Sequence, residues 1–128
     1  FAEATHLLAT RPIAAPAIFS LAGVKPHETA VIERREEEAQ VHAGATTATN
    51  HWQAPGWHGT ARGGDSPGRA AQMHCVVPDF DPAFPWLAAP VLNPRTRLVM
   101  MADAAAGRVM AQGYENGRPA TAVLELTA

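Results

Sequence analysis

The sequence predicts an α+β fold of antiparallel strands and separate helices, and three observations predict it. Short β-branched or alternating runs crowd residues 16–50, with Gly and Pro between them. A long loop over 51–65 then leads into two helical stretches. Three further alternating runs close the chain, joined by hairpin turn signals. Strands, then helices, then strands is the order of a layered α+β domain rather than of alternating βαβ units. With 128 residues the chain has the length of about one domain around one core.

Each element has a local reason. Ala2–Thr10 carries good helix formers with apolar residues at helix-compatible positions, and Pro12 ends it. "APAIFSLAG" over 15–23 is a buried strand stopped by Gly23, and "VKPHE" is turn chemistry. "TAVIERR" over 29–35 is a β-branched, alternating strand. "EEEAQVHAG" over 36–44 sets Ala39, Val41 and Ala43 against Gln40 and His42. "ATTATN" over 45–50 is small and β-branched and makes a fourth strand of an antiparallel meander. After the loop, Asp65 or Ser66 is the N-cap, Pro67 lies at or near the first helical position, and a helix runs to about Val76. "DPAFPWLA" over 81–88 is a short second helix. Strands follow over 95–103, 107–115 and 119–126, with turns at Asp103–Gly107 and Asn116-Gly117.

Composition excludes several classes of function. A net charge of −2 and a pI near 6.3 leave no basic stripe for nucleic acid. The longest apolar run, Ile13–Gly23, is broken by Pro16 and Ser20 and is too short to span a bilayer. One cysteine, Cys75, excludes an internal disulfide. Nine of the ten basic residues are Arg, which reads as the genomic bias of a GC-rich bacterium; no signal marks a compartment, and the cytoplasm is the favoured one. Phe1–Thr10 is neither a basic n-region nor an apolar h-region, and it reads as a helix already under way, so a piece of a longer chain is expected.

The chemistry concentrates in "TNHWQAPGWHGTARGGDSPGR". His51 and His58 stand seven apart in the loop, without HExxH or a Cys/His pairing, so they are loop or pocket residues or, in the alternative reading, metal ligands. Cys75 sits beside Met73 and Val76 and reads as a buried structural thiol. "ERREEE" over 33–38 reads as a solvated strand end and turn. "RGGDSPGR" lacks the Gly-Lys-Ser/Thr ending of a phosphate loop, and no GxSxG elbow is present. Asn50 ends a small-residue strand beside Trp52 and Trp57. Its side-chain amide is either a turn former or a donor to an oxyanion. Trp52 and Trp57 are either loop packing or a pocket rim, and Arg62 and Arg69 are either surface charges or site residues.

The order of these motifs resembles the C-terminal half of the acid ceramidase and N-acylethanolamine acid amidase family, and more loosely isopenicillin N acyltransferases and bile-salt hydrolases. "EATHLLATRPIAAPAIFSLAG", "AVIERREEEAQVHAG", "TATNHW", "DSPGRAAQM" and "APVLNPRTRLVMMADAAAGRVMAQGYE" carry the resemblance, over about residues 2–115. These are N-terminal-nucleophile (Ntn) hydrolases. The resemblance implies the C-terminal portion of an αββα sandwich, in one catalytic domain spanning 1–128. It implies an autoproteolytically matured amidase that cleaves the linear C–N bond of an N-acyl amide through an acyl-enzyme, with no cofactor and no metal. Asn50 falls on the family's oxyanion-hole Asn. The family's following Arg is matched by Arg69 in "SPGR", the favoured position, or by Arg62. Trp52, Trp57 and His51 would line the entrance for the acyl chain. The family's nucleophile, a Cys freed at the start of the mature chain, lies outside these residues. The partners implied are therefore the N-acyl amide and the missing N-terminal half, with a homo-oligomer also open. Half a sandwich would leave an apolar sheet face uncovered, so a paired state is expected. Two alternatives remain: a catalytically inactive acyl-ligand-binding member, and an unrelated α+β domain with His51 and His58 on a metal.

Overall fold

A computed structural model describes residues 1–44, 47–77 and 79–128. It is mixed α and β with antiparallel sheets, and it divides into two compact units, Phe1–Ala70 and Ala71–Ala128.

In the first unit, helix α1 (Ala2–Thr10) precedes strands β1 (Ala17–Ala22), β2 (Thr29–Arg34) and β3 (Ala39–Ala43). The strands pair antiparallel in the order β1-β2-β3, with Phe19 opposite Ile32 and Ile32 opposite Val41. β2 is central and buried along almost its whole length, so both of its faces are covered. Because side chains alternate along a strand, Ala30, Ile32 and Arg34 share one face and Val31 and Glu33 the other. The first face meets α1. The Arg34 guanidinium donates through Nη1 to the Leu8 carbonyl, and through Nη2 at 2.9 Å to the Arg11 carbonyl. α1 has no basic residue in its last turn and fully buries no side chain. Arg34 therefore supplies from the sheet the cation that the helix C-terminus favours.

The opposite face carries the 47–65 loop. Glu33, 1% exposed, accepts the Gln53 N–H at 2.6 Å on Oε1 and the Ala54 N–H at 2.7 Å on Oε2. His42 Nε2 lies 3.0 Å from the same Oε2. The acidic run is thus split. Glu36–Glu38 is exposed and turns the chain, the Arg35 N–H donating to the Glu38 carbonyl at 3.0 Å. Glu33 and Arg34 are buried, against the expectation of a solvated strand end. Each pairs with backbone groups that a burial pattern alone does not reveal.

The fourth meander strand expected over 45–50 is not formed by its described part. Ala45 and Thr46 lie outside the described residues, Thr47–Thr49 is irregular, and Asn50 sits in a bend. A side chain takes one backbone acceptor here, and a Thr hydroxyl ties the segment to the start of the next helix. Gln53 Nε2 donates to the Thr47 carbonyl at 2.8 Å, and the Thr49 hydroxyl donates to the Ser66 carbonyl at 3.1 Å.

Helix α2 (Ser66–His74) spans the division between the units. Asp65 caps it, its Oδ1 accepting the Gly68 N–H at 3.0 Å. The helix stops at His74, short of Val76, and Cys75 in the turn beyond it is exposed rather than a buried thiol.

In the second unit, the expected helix over 81–88 is replaced by two successive turns, Phe84 N–H to Asp81 C=O at 3.0 Å and Leu87 N–H to Phe84 C=O at 2.9 Å. Pro85 has no N–H and disfavours helical backbone at the preceding residue, and Phe84 takes a φ of +47°. Phe84 is nevertheless the anchor of this unit's core, with Val99, Met110 and Tyr114. Strands β4 (Leu98–Asp103), β5 (Arg108–Glu115), β6 (Arg118–Pro119) and β7 (Leu124–Thr127) form the second sheet. β4 pairs with one edge of β5, while β6 and β7 succeed each other along the other edge. The single strand expected over 119–126 is thus two short ones. Between them the Thr121 hydroxyl accepts the Gly113 N–H at 2.9 Å and detours the chain. Asn116 and Gly117, at φ +50° and +74°, make the tight turn that their sequence predicts. The two sheet faces differ. Val99, Met101 and Met110 face the core, whereas Leu98, Met100, Leu124 and Leu126 are 56–64% exposed on the opposite face.

Candidate functional site

The first unit holds an open cleft of about 720 Å³. β1 forms one wall with Ala17, Ile18 and Ser20. The 47–65 loop forms the other with Asn50, His51, Trp52 and Arg62, and Arg69 reaches in from the first turns of α2. Glu33 positions the loop by fixing Gln53 and Ala54, directly after the site residues.

Arg69 organises the site. Its Nη2 donates to Asn50 Oδ1 at 3.0 Å and to the Arg62 carbonyl at 3.4 Å, and its Nε donates to the Gly64 carbonyl at 3.1 Å. The Arg62 N–H donates in turn to the Asn50 carbonyl at 2.8 Å. A guanidinium only donates, so the Asn50 atom facing it must be the carbonyl oxygen. The amide NH₂ of Asn50 is then the end left to donate elsewhere. Gly63 lies in this crossing at φ +78°, and a side chain there would start 3.2 Å from Arg69 Nη2. No protein-family model, curated protein or solved structure matches this chain.

Most of the residues singled out from sequence converge here. Asn50, His51, Trp52, Arg62 and Arg69 line the one cleft. Of the two arginines, Arg69 touches the Asn50 side chain, whereas Arg62 meets Asn50 through its backbone. Trp57 is not among the lining residues. It stands edge-on to Trp52 with ring centroids 5.2 Å apart, and the Arg35 guanidinium lies 4.4 Å from its centroid. His58 is exposed, and among the described residues no group of three His, Cys, Asp or Glu comes together.

Three contributors lie outside the sequence-based site: Glu33, expected at a solvated strand end; Ser66, expected as a helix cap; and Thr49, expected in a strand. In the structure Ser66 is 1% exposed, and its hydroxyl lies 2.8 Å from His51 Nδ1 and 3.1 Å from Thr49 Oγ1. Thr49 Oγ1 is itself 3.0 Å from His51 Nδ1. The available signal is the spacing: a Thr-x-His, and a Ser directly after Asp65, whose carboxylate takes the capping role and leaves the Ser hydroxyl free for other partners.

Proposed function

We propose that residues 1–128 supply the oxyanion-binding part of an amidase of the Ntn-hydrolase type that hydrolyses N-acyl amides. The observation that carries this reading is the Arg69–Asn50 hydrogen bond on the cleft wall, which turns the Asn50 amide NH₂ into an oriented, unspent donor. In the proposed reaction a cysteine thiolate from polypeptide outside these residues attacks the amide carbonyl carbon. The carbonyl electron pair moves onto oxygen, facing Asn50 Nδ2. Collapse expels the amine, which takes up the proton that the nucleophile's own α-amine removed from the thiol, and water then attacks the thioester carbonyl, releasing the acid and restoring the thiol. The aromatic edge of Trp52, the apolar wall of Ala17 and Ile18, and the open mouth suit an acyl chain with a polar head. The chain's only cysteine, Cys75, is not among the cleft residues, which is why the nucleophile is assigned elsewhere.

The test is hydrolysis of a graded series of N-acyl amides by the native assembly containing this chain. Turnover is expected, with Asn50→Ala lowering kcat about 10²–10³-fold and changing KM little. Tight acyl-ligand binding without turnover would replace this reading with that of a binding protein.

A further inference from the structure

The Thr49–His51–Ser66 contacts determine which nitrogen of His51 carries the proton. The Thr49 hydroxyl donates to the Ser66 carbonyl at 3.1 Å, a contact with only one possible direction because a carbonyl cannot donate. Thr49 Oγ1 has then spent its proton, so at the 3.1 Å contact between the hydroxyls Ser66 must be the donor. Both hydroxyl protons are now committed. Two contacts remain, His51 Nδ1 to Ser66 Oγ at 2.8 Å and to Thr49 Oγ1 at 3.0 Å, and a single Nδ1–H shared between the two oxygens is the proton left to serve them. With a bare Nδ1, two protons would serve four contacts. With Nδ1–H, three protons serve them, the ring N–H being shared between the two hydroxyl oxygens.

We propose that His51 is held as its Nδ1–H tautomer by this hydroxyl relay, so that its Nε2 lone pair is the proton-accepting atom of the cleft. His51 lines the cleft. His51 is half-buried, and its Nε2 bonds no described residue. Arg62 and Arg69 line the same cleft, and no carboxylate does. The side chains that meet at Asn50 offer donors: the Arg69 guanidinium and the Asn50 amide NH₂. His51 Nε2 adds an acceptor among them. The ligand class this selects carries an O–H or N–H beside an electron-rich oxygen, with its apolar part against Trp52. Ser66 and Thr49 are positioning residues that act through the ring. The tautomer follows from hydroxyl geometry whether or not the cleft hydrolyses amides.

Side-chain ¹⁵N NMR of the intact chain reads both nitrogens directly, with His51→Gln identifying the resonances. The neutral ring is expected to show a protonated Nδ1 and an unprotonated Nε2, with acidification adding its proton at Nε2. Ser66→Ala should lower the Nδ1–H to Nε2–H ratio about three- to tenfold, as the loss of one hydrogen bond requires. Thr49→Val should lower it in the same direction. Hydrogen on Nε2 in the neutral wild-type ring would overturn the assignment. A ratio unmoved in both variants would overturn the relay. If Ser66→Ala does not fold, the wild-type spectrum and Thr49→Val still decide both points.

Discussion

At the scale of single residues, the first unit depends on buried charges that bind backbone. Glu33 satisfies two N–H groups of the loop and meets His42, all with one carboxylate. Removing it strands the buried Ala54 N–H and frees the Gln53 N–H from its anchor. Glu33→Ala should cost about 3–5 kcal/mol, read as a lower urea midpoint, while Glu33→Gln keeps one carbonyl acceptor and should cost less. A midpoint unchanged in Glu33→Ala would mean the loop is held by other contacts. Arg69 is expected to act on chemistry rather than stability, because its partners Asn50, Arg62 and Gly64 lie at the exposed cleft. Arg69→Lys keeps the charge but not the fork of donors. It should lower kcat in step with the loss of Asn50 orientation while the urea midpoint stays within about 0.5 kcal/mol of wild type. Asn50, His51, Trp52, Arg62 and Arg69 were legible as a cluster because unusual residue types crowd a short loop. Glu33 and Ser66 were not, because an acidic run and a helix start each have a commonplace local explanation. Their partners come from distant backbone at positions 53, 54 and 49.

At the scale of elements, local signals held where the chain needed no help from elsewhere. α1 carries the bounds read from Ala2–Thr10, and the Asn116-Gly117 turn forms where its φ angles are natural. Two elements failed for stated physical causes. The stretch after Gly44 has strand-forming residues, but Gln53 takes the Thr47 carbonyl, a backbone acceptor that a ladder would use. Residues 81–88 have a helix-like apolar spacing, but Pro85 forbids it and Phe84 is needed in the core. α1 poses the sharper question. An isolated helix of nine residues is marginal in water, and this one buries no side chain fully. Arg34 should therefore decide whether it forms. Arg34→Met should speed amide hydrogen exchange across Ala2–Thr10 at least tenfold, the equivalent of about 1.4 kcal/mol, while β1–β3 exchange slowly. Equal protection of α1 in wild type and variant would show that the helix is held by packing alone.

At the scale of the whole molecule, the second unit has a sheet with apolar residues on both faces. Leu98, Met100, Leu124 and Leu126 lie on the exposed face in register with Ala102, Val109 and Ala111. Contiguous apolar area of this kind is uncommon on a monomer. On the amidase reading its occupant is the facing sheet of the sandwich, carried by polypeptide outside residues 1–128. The chain alone should then self-associate in a sedimentation run, and Leu98→Lys with Leu124→Lys should return it to a monomer. A wild-type chain that stays monomeric and stable would contradict this. The central claim concerns a smaller distance. A crystal structure of the native assembly with a trapped acyl-enzyme or a transition-state analogue measures it most directly. The expected result is Asn50 Nδ2 within about 2.7–3.1 Å of the substrate oxygen, with Oδ1 still on Arg69. An acyl oxygen bound elsewhere, with Asn50 turned to solvent, would contradict it.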